Sequence, residues 1–151
     1  MLVDPQVRRV RLDEGLQVAS VWLAARRAAF PAIPAPAHSD DDVRRWFVEE
    51  VLPALEVWVA EADGCVVGLL VLDVGWVTQL YVDPSHQHQG LGSALLERAK
   101  EQSPDGLDLW TFEMNVGSHH FYERHEFVLV ELTDGRDNEE HAPDRRYRWS
   151  R

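Results

Sequence analysis

The stretch from Leu80 to Leu96 constrains the fold more than any other part of the chain. Leu80-Tyr81-Val82 ends an apolar run suited to a strand, Asp83-Pro84 stops it, and Gly90 and Gly92 supply a tight turn. From Gly90 to Gln102 the apolar residues fall at helical spacing, with Leu91, Leu95 and Ala99 on one face and Leu96 beside them. A strand that enters a glycine turn and leaves it as a helix aims the strand end and the first helical amides at one point. Those amides have no intrahelical acceptor, they carry the positive end of the helix dipole, and glycines let a ligand approach the backbone. Such a point suits a pyrophosphate. A mononucleotide loop needs a Gly-Lys-Ser/Thr ending that is missing here, and a dinucleotide fingerprint needs a third glycine where Leu95 stands.

The rest of the chain alternates helical and extended patterns. Val7 to Leu12 reads as an opening strand, and Asp13 as the cap of a helix with Val18, Val21, Trp22, Ala25 and Ala29 facing inward. Three prolines between Phe30 and Pro36 make a stiff, shaped loop. Ser39 followed by Asp40, Asp41 and Asp42 starts a second helix, with Val43, Phe47 and Val51 inward and Pro53 as its stop. Leu55 to Glu61, Cys65 to Asp73 and Trp76 to Asp83 read as an antiparallel meander turned at Asp63-Gly64 and Asp73-Val74-Gly75. Leu107 to Met114 is a strand, Gly117 to His125 a short helix, and Phe127 to Leu132 a strand. The polar loop Thr133 to Asp144 leads to a last strand near Arg146 to Trp149. A chain of 151 residues with this patterning and no linker reads as a single domain, 1–151.

Composition narrows the partners. The formal charge of −11 disfavours nucleic acid and anionic membranes, which are held mainly by Lys and Arg. No leader and no apolar run of about 20 residues is visible, which points to a soluble, unexported protein. Cys65 is the only cysteine, so an internal disulfide is impossible and a reducing, cytoplasmic setting is expected. Placed in an apolar run, Cys65 is expected to be buried and inert. Lys100 is the sole lysine among many arginines, a skew that suggests a bacterial genome rich in G and C. His86-x-His88 and His119-His120 have no third ligand at metal spacing, so no metal is expected. Most of the six tryptophans belong in the core, with Trp22, Trp46, Trp76 and Trp110 as candidates for lining an acceptor pocket. Asp137, Asn138, Glu139 and Glu140 read first as a solvated turn, and alternatively as a lure for a cationic amine.

Gln87-x-x-Gly90-x-Gly92 after a Leu-Tyr-Val-Asp-Pro strand end resembles the coenzyme A loop of the GNAT acyltransferase superfamily. Asn115, then Phe121-Tyr122, then Phe127 match a second family motif downstream, and the order of elements resembles the family along essentially the whole chain. The resemblance implies a mixed, mostly antiparallel sheet of about seven strands flanked by about four helices. Trp76 to Asp83 and Leu107 to Met114 would lie parallel and splayed to admit acetyl-coenzyme A. By position, backbone groups of Leu80, Tyr81 and Val82 would pair with the pantetheine arm. Amides across Gln87, His88, Gln89, Gly90, Leu91, Gly92 and Ser93 would hold the pyrophosphate, with Phe121 beside them. Asn115 would hydrogen-bond the pantetheine, and Tyr122 would protonate the departing thiolate. That role is chemically sound, since a thiolate of pKa near 8.5 leaves better when a phenol of pKa about 10 donates to it.

The implied function is transfer of an acetyl group to a primary amine of a small cationic molecule or peptide by direct attack. The alternatives are a module of the same fold that binds or senses acyl-coenzyme A without catalysis, and an interaction protein that kept only the fold. Three departures from the family bear on the choice. Gln89 stands where many relatives have Arg or Lys, which shifts anion binding to the backbone and to His86 or His88. Glu126 replaces a glycine, and would cost about 1 kcal/mol if the left-handed conformation is kept. Trp76 stands where relatives place a glutamate base, leaving Glu49, Asp73, Glu113 and His120 as candidates for that role. The sequence leaves a homodimer open.

Overall fold

A computed structural model describes residues 6–151 of the chain. The first strand, β1 (Gln6–Arg9), pairs antiparallel with β2 (Glu56–Ala62). Asp63 and Gly64 then take positive φ values of 51° and 79°, the pattern of a primed two-residue turn, and fold β2 back on β3 (Cys65–Asp73). Gly75, at φ 80°, turns β3 into β4 (Trp76–Val82). The expected meander is therefore present. Strands β5 (Leu107–Phe112), β6 (Val128–Thr133) and β7 (Asp144–Trp149) complete a seven-stranded sheet in the order β1-β2-β3-β4-β5-β7-β6. Every neighbouring pair is antiparallel except β4 with β5.

Strand alternation makes two cores. Val57, Val59, Leu69 and Val71 face α1 (Gly15–Ala29) and α2 (Asp40–Trp46), which supply Val18, Trp22 and Val43, with Phe47 directly after α2. Trp58, Ala60, Leu70 and Leu72 face the opposite way, toward α3 (Leu91–Gln102) and α4 (Val116–Arg124), and meet Leu95, Leu96, Tyr122 and Phe127. Gly68 keeps α3 close: a Cβ there would lie 3.1 Å from a Leu95 methyl and 3.2 Å from the Ala60 Cβ. Edge strand β6 leaves Val128, Leu129, Val130 and Leu132 exposed. No helix among the described residues is long and apolar enough to cross a membrane.

Several local expectations need correction. The opening strand ends at Arg9, and Leu12–Glu14 forms a 3-10 turn, so Asp13 does not cap α1. Glu14 is drawn inward instead, because Arg8 donates to it at 2.8 Å while reaching Glu61 at 2.7 Å, and the Arg11 amide donates to it at 2.8 Å. Ser39 does cap α2, accepting the Asp42 N–H at 3.1 Å. Pro53 does not end that helix outright. A wide π-helical turn over Phe47–Val51 alters the ladder first, and Pro53 sits inside a last turn, Leu52–Ala54. Cys65 is exposed, as the first residue of β3 directly after a tight turn.

Helix α4 ends in a Schellman motif. The Phe127 N–H returns to the Tyr122 carbonyl at 3.0 Å and the Glu126 N–H to the Glu123 carbonyl at 3.1 Å, with Glu126 left-handed at φ 71°. The rings of Tyr122 and Phe127 meet edge to face at 5.6 Å, the apolar contact that accompanies such an ending. The family conformation is thus retained without its glycine.

Two stability predictions follow from these contacts. The Glu14 side chain is 6% exposed, and hydrogen bonding from Arg8 holds its pKa at about 2 against an ordinary 4.5. Its contribution is therefore present above pH 4.5 and lost as the pH falls toward 2. Glu14→Gln should lower stability by about 3 kcal/mol near neutrality and flatten that part of the acid-unfolding curve, as followed by circular dichroism. Glu126→Gly should instead raise stability by about 0.5 to 1 kcal/mol, read as a higher denaturant midpoint at unchanged slope.

Candidate functional site

The site begins where β4 leaves β5. Only Trp76 with Asp108 and Val77 with Leu109 pair across these strands. The next residue, Thr78, is an insertion in the β3–β4 register, since Val77 faces Leu72 and Gln79 faces Val71. A bulge increases local twist, and here it turns β4 away from β5 so that a cleft opens between them. The expected splayed parallel pair is observed.

Backbone orientation in the cleft follows from one contact. The Asp83 N–H donates to the Val67 carbonyl at 2.8 Å. Because alternate residues of an antiparallel strand bond to the same neighbour, Tyr81 and Gln79 direct their backbone groups to β3, whereas Leu80 and Val82 direct theirs into the cleft. The Val82 carbonyl accepts the Gln87 side-chain amide at 3.3 Å, in keeping with that direction.

Beyond β4, Asp83 caps a short 3-10 turn, Pro84–His86, by accepting the Ser85 N–H at 2.9 Å and the Ser85 hydroxyl at 2.6 Å. The hydroxyl contact lowers the Asp83 pKa. His88 and Gly90 both take positive φ, 64° and 83°, and α3 starts at Leu91. The Ala94 N–H is already bonded to the Gly90 carbonyl at 3.0 Å, so the free amides at this helix end are those of Leu91, Gly92 and Ser93. A Cβ on Gly90 would meet nothing within 4 Å, so space is open directly before these donors. Gly92 lies under the Phe121 ring, at 3.5 Å from a built Cβ, which joins α3 to α4 here. Gln87, His88 and Gln89 are exposed in the loop, and Leu91 is buried. The donor set, the open space, the backbone of Leu80 and the N–H of Val82 fit a diphosphate with an amide-bearing arm.

Asn115 caps α4, its side-chain oxygen accepting the Ser118 N–H at 3.3 Å, which leaves its amide nitrogen to donate elsewhere. Tyr122 is 8% exposed, with no protein hydrogen-bond partner for its hydroxyl among the described residues. Burial pushes its pKa up, and so does the nearby Tyr81 phenol. Tyr81 packs against Trp22 of α1 at 6.1 Å, on the other face of the sheet. Its own pKa is raised by burial.

On the α1 side the split opens into two cavities, of about 580 and 550 Å³. Arg26, Gln79 and Glu140 border both. The first is lined by Trp22 and Trp46 and carries Glu49, Glu50 and Glu139; the second is lined by Trp110, Tyr81 and Thr111. Trp22 donates to Gln79 at 2.8 Å, and Arg26 is buried, with its guanidinium 4.8 Å from the Trp22 ring and 3.6 Å from Glu140. Trp76 lines neither cavity; it sits at the closed base of the strand pair.

The candidate bases separate in space. Glu49 borders the first cavity, whereas Asp73 belongs to a different groove beside the end of α3. Glu113 is held by both arms of Arg145, whose hydrogen bonds lower its pKa. His120 is exposed on α4. His119 is buried and its Nε2 donates to the Phe112 carbonyl at 3.0 Å. No cluster of three metal-capable side chains occurs among the described residues. Glu140, read first as part of a solvated turn and alternatively as a lure for a cationic amine, borders both cavities with a side chain 16% exposed. Only its adjacency to the proline-rich loop in the fold reveals this, through Arg26, which bonds the Pro34 carbonyl at 3.1 Å.

Residues 20–127 match the family model described as "Acetyltransferase (GNAT) family". The chain is 28% identical over 125 residues to the "Peptidyl-lysine N-acetyltransferase YjaB" of Salmonella typhimurium, covering 82% of this chain and 83% of that one. It is 28% identical over 108 residues to the "Uncharacterized N-acetyltransferase MJ1207" of Methanocaldococcus jannaschii, which covers 60% of this chain and 48% of the relative, so the chain spans about half of that protein. Among solved structures, yncA from Salmonella typhimurium, described as a putative acetyltransferase "with its cofactor Acetyl-CoA", superposes with a TM-score of 0.73 at 18% identity, covering 98% of this chain and 94% of that one.

Proposed function

The chain belongs to the acetyltransferase (GNAT) family, and from that premise we propose that it moves an acetyl group from acetyl-coenzyme A to a primary amine of a small cationic molecule or peptide. It is an acyl-coenzyme A-dependent N-acyltransferase. The observation that carries the reading is the split that begins at Thr78, which leaves Leu80 and Val82 without a strand partner on the cleft side, near the bare amides of Leu91, Gly92 and Ser93. When bound, acetyl-coenzyme A supplies an acetyl thioester, an activated acyl donor.

In this reading the α3 amides, with Gln87, His88, Gln89 and Gly90 around them, receive the diphosphate. Leu80 and Val82 hold the pantetheine as an added strand would be held, whereas the Tyr81 backbone, expected to join them, is turned to β3; the side-chain amide of Asn115 is a further donor and Phe121 a wall. A cleft-facing N–H of β4 stabilises the oxyanion as the amine attacks. Tyr122 holds a proton for the leaving thiolate. Its raised pKa keeps the phenol protonated at any working pH, as an acid requires.

The acceptor would enter from the α1 side. Glu49, Glu50, Glu139 and Glu140 outnumber Arg26 and Arg45 around the first cavity, and Arg45 is already paired with Asp42 at 3.4 Å. The field favours a cation, and the Trp22 and Trp46 rings favour an apolar or cationic stem. Glu49 is the candidate base that faces this space. YjaB is named for peptidyl-lysine, a primary amine on an apolar stem, and this supports the same chemistry here.

Tyr122→Phe should lower turnover by about a hundredfold or more while acetyl-coenzyme A binding, followed by calorimetry, stays nearly intact. Equal turnover in the two proteins would remove Tyr122 from the reaction. An amine panel scored by thiol release and product mass separates catalysis from mere sensing, because a sensor releases no thiol with any amine. Within that panel, Glu49→Gln and Glu139→Gln should each raise KM for a dicationic amine by about threefold at low salt. They should leave KM for a monocation less affected, and an unchanged ratio between the two substrates would rule out the acidic rim as a selector.

A further inference from the structure

The helix end at Leu91 lacks the loop cation of its relatives, with Gln89 in that place, and His86 is turned back on Ser85 at 3.1 Å. Another polar chain lies directly behind it. Ser93, in the first turn of α3, has its hydroxyl oxygen 3.0 Å from Nε2 of His125. Nδ1 of the same ring is 3.6 Å from a carboxylate oxygen of Glu97, one turn along α3. Phe121 packs on the ring at 4.8 Å, and Lys100 holds the backbone beneath it by donating to the His125 carbonyl at 2.8 Å. The His125 side chain is 18% exposed. It lies at the helix cap of the Schellman motif that ends α4.

We propose that His125 is the cation of the diphosphate site, acting through Ser93 and taking up a proton when a coenzyme A diphosphate docks on the amides of Leu91, Gly92 and Ser93. The proposal rests on the coenzyme A reading of the same helix end. His125 is a positioning residue in it.

A serine hydroxyl has a single hydrogen. In the free protein that hydrogen can be donated to Nε2 of a neutral imidazole. Once it is drawn to a phosphate oxygen, the serine offers Nε2 only a lone pair, and the contact is favourable only if Nε2 carries hydrogen. Nδ1 faces a carboxylate, which also accepts and does not donate. The form that satisfies both neighbours is the imidazolium, hydrogen-bonded to Ser93 on one side and ion-paired with Glu97 at 3.6 Å on the other. The groups facing the ring are Glu97 and Lys100 from α3 and Arg124 from α4. Burial, and then Lys100, hold the free ring below the ordinary histidine range, so it is neutral near pH 7. The negative charge of a docked diphosphate opposes both effects and raises the pKa. Affinity should therefore be highest at low pH and weaken as the pH rises through the value of the bound form.

The test is calorimetric titration with 3′-dephospho-coenzyme A in two buffers of different ionisation heat, which gives protons taken up per ligand bound. This ligand is used because its diphosphate is a diester, whereas the 3′-phosphate monoester of coenzyme A titrates with a pKa of about 6 and would confuse the count. The whole protein should take up a fraction of a proton at pH 7. His125→Gln keeps a hydrogen-bonding side chain that does not titrate. It should abolish most of the uptake and weaken binding by about tenfold at pH 6, with little difference at pH 8.5. Ser93→Ala leaves His125 in place and should give the same loss, and the double variant should lose no more than either single one. Pantetheine, without a diphosphate, should cause no uptake. Unchanged affinity and uptake in His125→Gln would overturn the proposal and assign any uptake to His86 or His88, and additive losses in the double variant would overturn it too. Failure of the unmodified protein to bind the ligand at all would instead bring down the coenzyme A reading itself.

Discussion

Beyond Val77 the backbone of β4 has no strand to bond on its β5 side, because Thr78 is inserted into the β3–β4 register. Without that insertion the parallel pair would continue, and the groups of Leu80 and Val82 would be consumed in an ordinary ladder. The insertion also resets which face each side chain occupies. Val77, Leu80 and Val82 belong to the α3 side, whereas Gln79 and Tyr81 belong to the α1 side and reach Trp22. One extra residue thus opens the cleft, frees its donors, and places a different chemistry on each side of it.

Those two chemistries carry opposite charge preferences within an acidic chain. The α3 side offers backbone amides and the helix dipole, with no arginine or lysine in the loop itself. The α1 side offers a rim of glutamates. A protein with a formal charge of −11 repels polyanions at long range, so an anion must be held by short-range donors that point at it. A cation needs only the summed field. The sheet keeps the two apart, and they meet only at the split.

How much of this was legible in the sequence depends on how local each feature is. The turn at Asp63-Gly64, the cap at Ser39 and the strand–turn–helix at Leu80 to Leu96 are decided by a few adjacent residues, and their positions could be read directly. The start of α1 could not, because Glu14 answers to Arg8 and to Glu61, which is remote in the chain. The bulge at Thr78 was invisible for the same reason, since register exists only between two strands. Glu140 and His125 show the limit most clearly. One lies in a polar loop and one at a helix end, and each acquires its setting from a partner far away in sequence, Arg26 and Ser93 respectively.

The proposed reaction asks for an acid and a base, and the chain treats the two unequally. Tyr122 is seated by the Schellman ending of α4, whose closing hydrogen bond is accepted by the Tyr122 carbonyl itself and whose apolar contact is the Tyr122 ring. Tolerating Glu126 in a left-handed conformation, at a cost of about 1 kcal/mol, is consistent with that geometry being needed. A buried phenol is a weaker acid than one in water, but a thiolate formed beside it in the same dry surroundings is a stronger base, so burial shifts both partners the same way and keeps their pKa values within reach of each other. Among the described residues no comparable device holds a base: Trp76 sits at the closed base of the β4–β5 pair, and Glu49 stands at the rim of the first cavity. The acid is therefore fixed by backbone structure, whereas removal of the ammonium proton is left to the rim or to solvent.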